Sequence, residues 1–168
     1  MFARIKPTRI VPLARGFSTE GKKPLLGKFD HIPIELYRIQ TGVKVNLRDY
    51  DVQKKAGRTS FDVVLKNGLV LPSEGDFFMG PNGMSLRPGG FNMGEIVANF
   101  KGAHRIIEIP KDIKLPKEFI LLHEHSDHYS LQTTVPITLS ELNSRMTKFL
   151  APFKVITKDE YFKKHPMM

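Results

Sequence analysis

The chain has 168 residues, 40% of them hydrophobic, with no cysteine and a formal net charge of +9. That length suits one domain, and the missing cysteine excludes disulfides, thiolate metal sites and a cysteine nucleophile together. No apolar run reaches the ~18 residues that a membrane-spanning helix needs, and any metal would have to be held by histidines and carboxylates.

Residues 1–19 carry Arg4, Lys6, Arg9 and Arg15 without one acid, mixed with Ile, Val, Leu and Phe. This is the composition of a mitochondrial transit peptide, and Arg15-Gly16-Phe17 before Ser18 resembles a matrix-processing site. The alternative is a basic arm, since Pro7 and Pro12 restrict an amphipathic helix. Removing the four basic residues leaves 22 against 17 acids, or +5. A mildly basic domain with scattered lysines points away from nucleic acid and is compatible with an anionic small ligand.

Residues 20–28 read as a lysine-rich linker, with the folded domain running over 29–168. Pro33 to Ile39 alternates in polarity as a half-buried strand should, placing Ile34, Leu36 and Arg38 on one face. An arginine on that face needs an anion, either a protein carboxylate or a ligand phosphate. Phe61 to Leu65, Asn67-Gly68 and Leu69 to Leu71 read as a hairpin, because Asn-Gly supplies the positive φ angles of a tight turn. Residues 75–94 are rich in glycine yet hold Phe77, Phe78, Met79 and Phe91, so this loop is expected to fold against the domain, with a short strand at Met84 to Leu86. Its glycines could let backbone approach a ligand, with Asn82, Ser85 and Arg87 supplying polar contacts.

One or two helical turns are expected over Gly94 to Phe100, then a strand over Arg105 to Ile109. Strands at Phe119 to Leu122 and Tyr129 to Thr133 flank a histidine-rich stretch. A capping box at Thr138 to Glu141, followed by Leu142, Met146, Phe149 and Leu150 at helical spacing, predicts a helix ending near Ala151. Thr157 to Glu160 repeats the cap before a terminal helix. Several short strands in series with little helix predict an α+β domain on a mostly antiparallel sheet. No G-x-G-x-x-G or G-x-x-x-x-G-K-[ST] loop is present, which argues against Rossmann dehydrogenases and P-loop nucleotidases.

His123, His125, Asp127 and His128 spell H-x-H-x-D-H, a pattern resembling the metal motif of the metallo-β-lactamase fold. The downstream ligands of a two-metal site are missing, because only His165 and Asp159 follow. A zinc hydrolase using His123, His125 and His128 stays open as an alternative, against a plain polar turn at Ser126-Asp127 with solvated imidazoles; the reading adopted assigns no metal.

Leu36-Tyr37-Arg38 on an early strand, the segment Pro81-Asn82-Gly83-Met84-Ser85-Leu86-Arg87-Pro88, and His128-Tyr129-Ser130-Leu131 before a C-terminal helix occur in that order. Together they resemble the ADP-ribosyltransferase-like toxin domain of the type VI secretion effector two family and its fungal relatives, over about residues 30 to 151. The resemblance implies a split, mostly antiparallel β-sandwich that holds NAD between its sheets. It implies Arg38, Ser85 and Gln132 as catalytic residues, and Tyr37, Arg38, Asn82, Ser85, Arg87 and Tyr129 as NAD-binding ones. Arg38 would grip the pyrophosphate, Ser85 would border the nicotinamide ribose, and Tyr129 and Gln132 would face the nicotinamide end. The family commonly places a glutamate late in the chain; Glu124 and Gln132 are the candidates here, and neither lies in a Glu-x-Glu or Gln-x-Glu pair.

The function implied is NAD-dependent ADP-ribosyl transfer, or NAD hydrolysis, by a toxin-type domain in the mitochondrial matrix. Its acceptor would be a protein or other macromolecule, and an antitoxin-like protein is a possible partner. The alternative is a non-catalytic mitochondrial interaction domain that keeps the fold, with Arg38 paired to Asp49 or Asp62. For the leader, residues 1–28 fused to a fluorescent protein should carry it into mitochondria and lose a segment ending near Phe17; uniform cytosolic fluorescence would dismiss the transit reading.

Overall fold

In the computed structural model, which describes residues 21–167, nine short strands and four short helices are found among the described residues. The expected transit segment lies outside them. The strands are β1 (Gly27–Phe29), β2 (Leu36–Gln40), β3 (Leu69–Val70), β4 (Met84–Leu86), β5 (Arg105–Ile109), β6 (Phe119–His125), β7 (His128–Thr133), β8 (Ile137–Thr138) and β9 (Lys154–Ile156). The helices are α1 (Tyr50–Lys55), α2 (Phe91–Asn99), α3 (Leu139–Leu150) and α4 (Lys158–Lys164).

One sheet has the order β1-β6-β7-β4, a second β2-β5-β9, and β3 pairs with β8. Every strand ladder is antiparallel. The two larger sheets meet where Tyr37 N–H donates to the Arg87 carbonyl at 2.7 Å and Arg87 N–H donates to the Tyr37 carbonyl at 3.1 Å. This single bridge fastens β2 to the segment after β4 and gives the α+β chain its split β-sandwich form.

Side-chain parity sorts the sheets. Leu36, Ile107 and Ile109 join Met84, Leu86, Leu121 and Leu131 in the main core, which α3 closes with Leu142, Met146 and Leu150. Tyr37, Ile106 and Ile156 point the other way, into a second core with Met93 and Val97 of α2 and Tyr161 of α4. β2 and β5 are therefore covered on both faces while Lys154 and Val155 of β9 stay exposed, and the expected half-solvated strand at Pro33 to Ile39 lies between β5 and the segment after β4.

Both caps form, one of them in part: the Thr138 hydroxyl accepts from Glu141 N–H while the Glu141 carboxylate pairs with Arg145 instead of closing the box, and Thr157 with Glu160 makes a full capping box. Asn67 and Gly68 have φ of 51° and 76°, the tight turn expected of Asn-Gly. The arms of that hairpin then part, and Leu69–Val70 pairs with β8 instead. Chain pairing begins ahead of the expected boundary at Phe29, because Leu26 N–H already donates to the His123 carbonyl at 2.8 Å. The loop of residues 75–82 folds against this edge: Lys28 Nζ reaches the Gly75 carbonyl and an Asp76 carboxylate oxygen, each at 2.7 Å.

Gly83 sits where this loop enters β4. A Cβ there would stand 2.2 Å from the Leu131 carbonyl oxygen, on backbone that cannot step aside. Gly83→Ala should therefore lower the unfolding free energy by about 1–3 kcal/mol, the usual cost of overpacking. Gly42→Ala, which meets nothing within 4 Å, should change it by under about 0.5 kcal/mol; equal urea midpoints for the two variants would refute the close approach.

Candidate active site

The alternation of side chains along β7 places a row of polar groups on one face of the four-stranded sheet. His128, Ser130 and Gln132 alternate with Tyr129 and Leu131, which point into the main core. Across the ladder, Ser130 faces Ser85 of β4 and Leu122 of β6. The β6–β7 register shifts between His123 and His125, so Glu124 sits at a bulge. Bulges re-aim side chains, and this one holds Glu124 on the polar row with 1% of its surface exposed.

A carboxylate so enclosed has to be satisfied by donors. His128 Nδ1 lies 2.8 Å from Glu124 Oε2, and Gln132 Nε2 donates to Glu124 Oε1 at 3.1 Å. His128 Nε2 lies 3.0 Å from Ser85 Oγ. Gln132 Nε2 also donates to Ser130 Oγ at 3.1 Å, while Gln132 Oε1 accepts from Ser73 Oγ at 2.6 Å and from Asn82 Nδ2 at 3.4 Å. The result is one connected chain of groups from Ser85 through His128, Glu124 and Gln132 to the loop residues Ser73 and Asn82. Because an ionised Glu124 only accepts, the Nδ1 proton belongs on His128 and its Nε2 is free to accept from Ser85.

Arg38 approaches this chain from β2. Its Nη1 donates to the Ser85 carbonyl at 3.3 Å and its Nε to Gln40 Oε1 at 3.3 Å. The expectation that it faces the core side of β2 with Leu36 is met in the register, where both pair with core residues of β5. Among the described residues Arg38 has no salt-bridge partner. Asp62, the nearest carboxylate in effect, is taken by Arg48, whose Nε and Nη2 each donate to it at 2.9 Å. Burial lowers the Arg38 guanidinium to about 10, with Asp62 offsetting part of that and Arg48 adding to it. A guanidinium drawn inward without a carboxylate is a ready receiver for a ligand anion.

Of the residues singled out in the sequence, Arg38, Asn82, Ser85 and Gln132 are brought together. Gln132 is 1% exposed, so it acts from beneath the site. Arg87 is close by but ion-paired to Asp127 in the β6–β7 turn. Tyr37 and Tyr129 are not brought in. Tyr37 lies on the opposite face of β2, buried in the second core, its hydroxyl bonded to Glu35 at 2.5 Å and His165 at 3.0 Å. Burial, then Glu35, pushes that phenol well above its ordinary range. Tyr129 points into the main core and stacks on His123 at 4.1 Å.

The histidine stretch is a tight hairpin turning at Ser126-Asp127, as expected, but its imidazoles are not solvated as a group. His128 is enclosed between Glu124 and Ser85, and His125 packs edge-on against Phe78 at 5.2 Å. Burial, then His128, lowers the His125 pKa. The zinc alternative named His123, yet its Nε2 is turned to the Ser126 carbonyl at 2.6 Å. Glu124, His125 and His128 are the group whose ligand atoms lie within 4.8 Å of one another. The two rings stack in parallel at 5.1 Å instead of turning toward a shared point, and both nitrogens of His128 already have partners.

A groove of about 860 Å³ runs along the loop, lined among others by Leu71, Ser73, Phe77, Met79 and Asn82. It meets the polar chain at Ser73 and Asn82; Arg38, Ser85 and His128 do not line it. The bridging role of His128 is the feature sequence reasoning missed. Part of its signal lay in the polar residues at 128, 130 and 132, which alternate on one strand face; the placement of Glu124 beside them depends on the bulge.

The antiparallel split sandwich with an arginine at its sheet junction is an ADP-ribosyltransferase-like architecture. A family model described as the Tse2 ADP-ribosyltransferase toxin matches residues 34–161, and the chain belongs to that family. No curated protein and no solved structure matches the chain.

The unpaired guanidinium has a consequence for stability. Enclosing a charge without a counter-ion costs free energy, so Arg38→Met should leave the melting temperature unchanged or raised. A fall of about 2 kcal/mol or more in unfolding free energy would mark Arg38 as a structural ion-pair member instead.

Proposed function

We propose that the chain is an NAD-consuming ADP-ribosyltransferase, with NAD hydrolysis as the same chemistry when water is the acceptor. The observation that carries this is Arg38, an inward guanidinium without a carboxylate, set on the Ser85 carbonyl at 3.3 Å. Membership of an ADP-ribosyltransferase toxin family supports NAD as the anion it receives. A planar guanidinium suits a pyrophosphate, which accepts two parallel hydrogen bonds.

In this reading Arg38 takes the pyrophosphate and so places the nicotinamide ribose beside Ser85 and His128. NAD supplies an activated glycosidic bond whose leaving group departs as neutral nicotinamide. Glu124 is too enclosed to touch the sugar; it acts through His128, and Gln132 holds it in place. Asn82 ties the loop to Gln132, and Arg87 with Asp127 braces the turn next to His128. The non-catalytic alternative called for Asp49 or Asp62 to pair with Arg38, and the capture of Asp62 by Arg48 favours the ligand reading over it. Delivery to the mitochondrial matrix, an acceptor macromolecule and an antitoxin-like partner belong to the same proposal, supported by the composition of residues 1–19 and by the toxin family.

Incubating the purified chain with NAD and following free nicotinamide tests it. Arg38→Ala should lose roughly 10- to 100-fold in kcat/KM, as for a lost hydrogen bond to a charged group, and Arg38→Lys should recover part of that. Equal rates for wild type and Arg38→Ala would remove Arg38 from the site.

A further inference from the structure

A second polar cluster lies behind the site, on the far side of the sheet junction, and the chemistry above does not use it. Tyr37 stands back to back with Arg38 on β2, its side chain in the second core and its peptide making the two hydrogen bonds to Arg87 that join the sheets. The spacing of that junction decides whether Arg38 reaches a pyrophosphate while Ser85 meets the ribose. The end of α4 touches both sides of it. On the β2 side, His165 Nε2 lies 3.0 Å from the Tyr37 hydroxyl, and Lys164 Nζ donates to Glu35 Oε1 at 2.7 Å. On the β4 side, the His165 ring lies on Gly89, where a Cβ would stand 2.2 Å from a ring carbon, and the Tyr161 hydroxyl accepts from Gly90 N–H at 3.3 Å. Gly89 is not among the glycines with positive φ, so the imidazole, and not the backbone, is what excludes a side chain there. Because the phenol proton of Tyr37 goes to Glu35 at 2.5 Å, His165 Nε2 is the donor to the phenol oxygen.

We propose that His165 is a positioning residue for the NAD site, wedged between Tyr37 and Gly89 so that it sets the spacing of Arg38 and Ser85 from the opposite face. This rests on the reading of NAD as substrate. His165 touches no substrate and exchanges no proton; it acts through its two neighbours. With the ring in place, Tyr37 is fixed by its side chain as well as its peptide, and Arg38 leaves β2 in one direction. Without the ring, the phenol oxygen loses its donor, the segment after β4 gains room at Gly89, and the guanidinium is free to drift from the Ser85 carbonyl. A helix of seven residues does not hold itself, so α4 keeps His165 in place only while Tyr161 and Lys164 stay docked on the same junction. A misplacement of about 1 Å at a reacting centre can cost on the order of 100-fold in rate.

The test follows nicotinamide release from NAD by the full chain, well below the melting temperature of each variant. His165→Ala should lower kcat/KM by roughly 10-fold or more. His165→Gln, whose amide can still donate to the phenol, should recover most of the loss. Free imidazole should restore His165→Ala in a saturable way and leave Tyr37→Phe unrescued, a response that a general loss of stability would not give. Gly89→Ala probes the same contact from its other side: the ring is the far end of a side chain and can swing away, so the melting temperature should hardly move while activity falls as in His165→Ala. The double variant should then be no worse than either single one, because both remove one contact. Wild-type rates in His165→Ala and Gly89→Ala, or a loss in His165→Ala that neither glutamine nor imidazole relieves, would overturn the inference alone. No nicotinamide from the wild-type chain would overturn it together with the use of NAD.

Discussion

The buried Glu124 carboxylate is the constraint around which the polar half of this protein is arranged. A carboxylate with 1% of its surface exposed must find donors inside the protein. His128 and Gln132 supply them, and each then passes the requirement outward, His128 to Ser85 and Gln132 to Ser73 and Asn82. One β-bulge between His123 and His125 is what allows Glu124 to join that row. The loop from Ser73 to Asn82 is held by the oxygen of the same Gln132 amide whose nitrogen donates to the carboxylate, so one side chain ties the loop to Glu124.

A second tension sits across the sheet junction. Arg38 is drawn inward on β2 while the Tyr37–Arg87 backbone bridge locks the strands together. Arg48 occupies the carboxylate that would have neutralised it. Proteins retain such uncompensated charge where a ligand supplies the missing partner. Positive charge on one side of Ser85 and an imidazole–carboxylate pair on the other make an asymmetric environment around a single hydroxyl.

Elements whose signals are local were legible in the sequence. Thr138 and Thr157 announce α3 and α4 through side chains that reach backbone three residues on, and Asn67-Gly68 announces its turn through φ alone. Helix α1 was not readable: Asp49 caps a run of Tyr, Asp, Val, Gln and two lysines with one buried residue, and its support comes from a bridge between Asp49 and Val63. Helix α2 starts at Phe91, earlier than the Gly94 its glycines suggested, because Met93 and Val97 are needed by the second core. The site was half legible. Arg38, Ser85 and Gln132 were visible as polar residues on strands, whereas the burial of Tyr37 and Tyr129 depends on which sheet covers which face. The role of His128 depends on a bulge, which one-residue parity counting cannot place.

The central claim is that the junction of Arg38 with the Ser85, His128 and Glu124 row receives the dinucleotide. Titrating the isotope-labelled chain with a non-hydrolysable NAD analogue and following backbone amide signals addresses it directly. Saturable shifts concentrated at residues 37–40, 84–87 and 128–132, lost in Arg38→Ala, are the expected result; a spectrum unmoved by the analogue, or shifts confined to distant elements such as α3, would contradict it.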